Sequence, residues 1–138
     1  MAMTAVTMSA CGSTGGKSAA FLRPPSPVNL SVYINDSRIS VSPGSVGAGP
    51  IVFIVTNQAS HAEALTVSDG ARTVATTAPI NPQGTTQVTV DTRPGRYTIA
   101  AAPHGASDAQ LTQSSPIAPA TVRVGRHRPS SSNQLLSP

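Results

Sequence analysis

Tryptophan is absent from this 138-residue chain, and only two tyrosines and two phenylalanines are present. A surface that stacks nucleic-acid bases needs more aromatics than this, and so does a protein interface built around a large aromatic anchor. Charge is scarce too, at 10% of residues, which excludes a coiled coil or a salt-bridged helical bundle. No apolar run approaches the roughly 20 residues of a membrane-spanning helix. There is a single cysteine, Cys11, so no internal disulfide can form.

Small and turn-forming residues fill the space. Ala, Ser, Thr, Pro and Gly account for 76 of the 138 residues, against 28 Val, Ile, Leu and Phe. That is the lower edge of what a folded chain needs, and it predicts a small core with disordered ends. Net charge is +4. Most arginines stand singly along the chain (Arg23, Arg38, Arg72, Arg93, Arg96), and the one cluster is Arg123, Arg126, His127 and Arg128. Such a distribution, without interleaved aromatics, argues against nucleic acid. It fits a solvated basic tail with at most a weak attraction to anionic lipid headgroups.

The hydrophobic pattern divides the chain into three zones: a signal and linker zone over 1–27, a patterned zone over 28–125, and a disordered basic tail over 126–138. The middle zone reads as β throughout. Val28, Leu30, Val32 and Ile34 alternate with polar partners, the period of a half-buried strand. Asn35-Asp36-Ser37 reads as a turn, and Arg38 to Val41 resumes the alternation. Ser42-Pro43-Gly44 turns again. Ile51 to Val55 is a continuous apolar run suited to a central strand, closed by Asn57. Leu65 and Val67 mark a short strand before Asp69-Gly70, and Val74 marks another. Gln87 to Asp91 alternates cleanly into Arg93-Pro94-Gly95, a tight turn. Tyr97 and Ile99 follow, and Val122 with Val124 ends the zone after an irregular stretch from Pro103 to Pro119. Seven or eight short strands without helical periodicity predict an all-β, antiparallel Greek-key sandwich.

Around Cys11 the residues are Val6-Thr7-Met8-Ser9-Ala10-Cys11-Gly12. The small residues ahead of the cysteine resemble a bacterial lipoprotein signal. That resemblance implies cleavage before Cys11, lipid attachment to its sulfur, and an extracytoplasmic, membrane-anchored protein. Met8 is an imperfect match to the aliphatic position of such signals. The ten residues ahead of Cys11 contain no basic residue. Either the natural start lies upstream, a secreted protein has lost its leader, or Cys11 is an ordinary thiol. The following Gly12 to Ser18 is not a phosphate loop. Cys11 stands where the first glycine belongs, and Arg23-Pro24-Pro25 follows where a helix should start.

Within 28–125, three pieces occur in order: Ile39-Ser40-Val41-Ser42-Pro43-Gly44, then Ile51-Val52-Phe53-Ile54-Val55-Thr56-Asn57, then Pro94-Gly95-Arg96-Tyr97-Thr98-Ile99 after the polar strand Thr85 to Asp91. Their order and spacing resemble the cupredoxin family of plastocyanin-like sandwiches. The resemblance implies a site of two histidines, one cysteine and a weak axial methionine, the donor set of blue copper. Carried over by position, Pro103-His104 matches the second histidine, while Ala101 stands at the cysteine and the methionine position falls near Ala109. His61 follows Asn57 in an uncertain register, and Glu63 falls where the first histidine ligand is usual. A blue-copper electron-transfer centre is therefore not expected.

His61, Glu63 and His104 remain as a candidate copper or zinc set, should the fold bring them together. The alternative places both histidines in exposed loops with no cofactor. No Gly-x-Ser-x-Gly elbow occurs, and no acid pair stands out among the five carboxylates, so no enzyme is expected. The expectation is a copper-free cupredoxin-like domain that binds a cell-envelope protein or acts structurally, through loops near Gln58–Glu63 and Pro103–Gln113. Two alternatives stand beside it: a divergent copper-binding protein using His61 and His104, and an immunoglobulin-like adhesion sandwich.

Overall fold

The computed structural model describes residues 24–105 and 116–130. Eight strands follow one another: β1 (Val28–Ile34), β2 (Ile39–Ser42), β3 (Ser45–Asn57), β4 (Glu63–Asp69), β5 (Arg72–Thr76), β6 (Thr85–Thr92), β7 (Gly95–Pro103) and β8 (Ala120–His127). They form two layers that share one strand. The first layer runs β2–β1–β3–β6 and the second β3–β8–β7–β4–β5.

Strand β3 serves both layers because its two halves differ in chemistry. Its second half, from Ile51, lies between β1 and β6. There Ile51, Phe53 and Val55 are fully buried while Val52 and Ile54 are half covered, which explains the unbroken apolar run. Its first half, Ser45 to Ala48, lies beside β8. Between the halves the register shifts after Gly47. Gly49 takes φ +130°, a conformation that a residue with a Cβ rarely adopts. Thr92 ties the crossing to β6, donating its hydroxyl to the Gly49 carbonyl at 2.8 Å and accepting the Gly49 N–H at 3.3 Å.

The core is the alternation made solid. Leu30, Val32 and Ile34 of β1 meet Leu65 and Val67 of β4, Tyr97 and Ile99 of β7, and Val122 and Val124 of β8, all at most 4% exposed. Each such side chain contributes on the order of 2 kcal/mol relative to leaving it in water.

The all-β class, the sandwich and the strand number are as expected. Three expectations need correction. The pairing is mixed, since β1 lies parallel to β3 and β3 parallel to β8. The parallel β1–β3 pair arises because β2 reverses direction on one edge of β1 and the returning chain packs on the other. The central strand begins at Ser45, six residues before the apolar run that marked it, and takes in Gly47, Gly49 and Pro50. The folded region also extends beyond 28–125: β8 continues to His127, and Arg128 is tied into the fold. The Arg128 guanidinium donates to the carbonyls of Gly47 at 3.0 Å and Pro50 at 2.6 Å, and to that of Ser26. Cys11, Ala109 and the rest of residues 1–23, 106–115 and 131–138 lie outside the described residues.

Candidate functional site

The candidate residues gather at the end of the sandwich where β3 finishes and β4 begins. Asn57 closes β3 and is fully buried. A buried amide must find partners, and this one finds three. Its Nδ2 donates to the carbonyls of His61 at 2.7 Å and Ile80 at 2.8 Å, and its Oδ1 accepts the N–H of Ala59 at 2.9 Å. The 58–62 connection is thereby wound around one side chain.

A second tie fixes the same loop from outside. Asp36, in the β1–β2 turn, accepts the N–H of Ser60 at 2.7 Å on one oxygen and its hydroxyl at 2.8 Å on the other. These bonds favour the charged carboxylate and hold its pKa below the usual value, with backbone donation the larger cause. Asn35 builds the turn itself, accepting the N–H groups of Ser37 and Arg38 at 3.0 and 2.8 Å.

Glu63 opens β4, faces Pro103 at the end of β7, and is only 3% exposed. Its backbone exchanges both hydrogen bonds with Ile80, at 3.1 and 2.9 Å. Its Oε2 is buried with no hydrogen-bond partner among the described residues. Burial pushes the Glu63 carboxyl above the ordinary range; the nearby His61 opposes that shift, and Asp36 adds to it. The N–H of His104 donates to the Ala62 carbonyl at 2.8 Å, so the three candidate residues sit on adjoining backbone. Their side chains part company: Glu63 points inward, while His61 and His104 are exposed. Among the described residues no group of three or more His, Cys, Asp or Glu is placed to hold a metal ion. Ala101 lies on β7 opposite Leu65 and is half-buried. His127, at the far end of β8, is exposed.

The ties made by Asn57 and Asp36 are absent from the sequence reading. Asn57 was legible as the end of a strand, and its buried amide could be suspected from the apolar run before it. The Asp36–Ser60 bond joins residues 24 apart, and nothing local marks it.

No protein-family model matches the chain, and no curated protein matches it. Solved structures do match in shape. Auracyanin B superposes over 72% of this chain and 89% of its own, with a TM-score of 0.51 and 16% identity. A multicopper oxidase superposes over 76% of this chain and 45% of its own, with a TM-score of 0.50 and 14% identity. At such identities the likeness concerns fold alone, and the fold is cupredoxin-like.

Proposed function

Starting from a cupredoxin-like sandwich, we propose that this chain is a non-enzymatic binding or structural module of the cell envelope, without a blue-copper centre. It works outside the cytoplasm, tethered to the membrane through a lipid on Cys11, and meets an envelope protein. The observation that carries this reading is Ala101, whose methyl group stands half-buried on β7 where the family resemblance calls for a thiolate. A thiolate is what gives blue copper its soft donor, and alanine supplies none.

The second reading, metal handling, rests on the adjoining backbone of His61, Glu63 and His104. One experiment separates the two. The full chain carrying Cys11→Ser, so that a free thiol contributes nothing, is titrated calorimetrically with Cu(II) and Zn(II). The expected result is no stoichiometric binding. One-to-one binding that His61→Ala or His104→Ala abolishes would replace the scaffold reading with the metal reading. The tether is checked separately: a labelled fatty acid is expected on the natural chain expressed in a bacterial host, and not on Cys11→Ser.

A further inference from the structure

The strand register sorts the arginines by end. Six of the seven described arginines (Arg72, Arg93, Arg96, Arg123, Arg126 and Arg128) lie at the end away from His61 and His104. Only Arg38, beside Ala118, lies at the histidine end. Asp69 and Asp91 share the arginine end on its β5–β6 side, where they line a cleft with Arg72 and Arg93. On the β7–β8 side the lining is different. Arg96 and Arg123 are direct cross-strand partners, and Ser45 of β3 stands beside Arg123. Gly44, Ser45, Arg96, Thr121 and Arg123 line an open concavity of about 420 Å³, with no carboxylate among these described residues.

Two like charges directly opposite each other destabilise a sheet, and here both partners are exposed arginines. An oxyanion between them removes that repulsion. Guanidinium forks match phosphate oxygens two at a time, and the hydroxyls of Ser45 and Thr121 add donors at the same rim.

The position of the chain's start points to where such anions would come from. Pro25 packs against Gly49, and the Ser26 carbonyl is held by Arg128, so the described chain begins at this same end. Cys11 precedes Pro24 by 13 residues, a length of chain that reaches at most roughly 45 Å. A lipid on Cys11 would therefore attach the domain to the membrane through its arginine end. We infer that this end is a docking surface for an anionic lipid layer, with a headgroup phosphate seated between Arg96 and Arg123. The choice of a lipid surface rests on the tether proposed above; the basic concavity does not.

The test uses the full chain with Cys11→Ser, so that no anchor contributes, and measures co-sedimentation with vesicles. Vesicles containing phosphatidylglycerol are expected to retain the protein, and pure phosphatidylcholine vesicles are not. Raising salt weakens retention as screening tightens. Arg96→Ala with Arg123→Ala lowers the partition coefficient about 25-fold, at roughly fivefold for each basic residue removed. Arg96→Ala alone lowers it roughly fivefold, whereas Arg38→Ala, which removes the same single charge at the opposite end, leaves it within about twofold of the value for the unsubstituted chain, and melting temperatures confirm that all variants fold.

Equal retention on both vesicle types overturns the proposal. So does a loss with Arg38→Ala matching that with Arg96→Ala, which would reduce the effect to net charge. Saturation by inorganic phosphate or duplex DNA, with no retention on anionic vesicles, overturns it as well. Fatty-acid labelling of Cys11 reports on the tether alone, so either idea can fail while the other stands.

Discussion

The two ends of this sandwich treat their charged and amide groups differently. At the histidine end, Asn57, Asp36 and Glu63 are tied to or buried in the protein itself, and His61 and His104 alone among the candidate residues are exposed. Asn57 satisfies three backbone groups, Asp36 holds Ser60, and Glu63 is buried. At the arginine end, Thr92 bonds to Gly49 and Arg128 to three carbonyls, while Arg96 and Arg123 stand exposed side by side. The lesson is that residue type does not distinguish architecture from availability. Histidines drew attention as ligands, yet their end is the one organised for stability. The arginines, scattered in sequence, are the groups left facing solvent as a pair.

The sharpest way to break the comparison is Asn57→Ala. It strands the His61 carbonyl and the Ala59 N–H and leaves the Ile80 carbonyl with the Glu63 N–H alone, so a loss of about 2 kcal/mol is expected. A urea melt measures it. A loss below about 1 kcal/mol would mean that water or a small shift replaces the amide, and the histidine end would not be the organised one.

Glu63 gives the next effect, one visible in its pH dependence. Because its folded-state pKa is raised, the folded protein holds that proton more tightly than the unfolded chain does. Stability from this group is then greatest below the unfolded pKa, about 4.3, and falls as pH rises through the folded value. Glu63→Gln removes the fall. The variant is expected to melt higher than the natural chain at pH 7, with the difference vanishing below about pH 4. A pH-independent difference would show that packing, not ionisation, is the cause. Asp36 has the opposite sign, contributing stability at neutral pH that is lost in acid, but it is common to both proteins and cancels in the comparison.

The smallest effect sharpens the other end. Arg96→Thr relieves the Arg96–Arg123 repulsion and places a β-branched residue on a strand. In the absence of any anion it is expected to stabilise the fold by about 0.5 kcal/mol at low salt, and by less at high salt. Unchanged or lowered stability in a urea melt would mean that the two guanidiniums are already compensated.

Much of the fold was legible because alternation reports directly on burial. Val28–Ile34 and Gln87–Asp91 needed no more than their period of two, and Pro94-Gly95 marked its own turn. The first half of β3 was not legible. Gly47, Gly49 and Pro50 are loop-like residues kept in a strand because the strand changes layers there, a demand set by tertiary structure. At the candidate site, residue chemistry pointed to His61, Glu63 and His104, and the ends of β4 and β7 do bring their backbone together. Which side chains turn inward was hidden, since it depends on the register of Glu63 against Pro103. The Arg96–Arg123 pair was hidden for a similar reason: the two residues become neighbours only once β7 and β8 are aligned.

The parallel pairing of β1 with β3 has a mechanical consequence. A pull on the chain ahead of Val28 acts along the axis of β1, toward the arginine end. Seven paired positions against β3 and four against β2 are then strained together, in shear, instead of opening one by one from an edge. The Arg128 contact to Ser26 meets the load before the strand does. A domain hung from its own N-terminal segment thus resists tension along the direction in which its hydrogen-bond ladders are strongest.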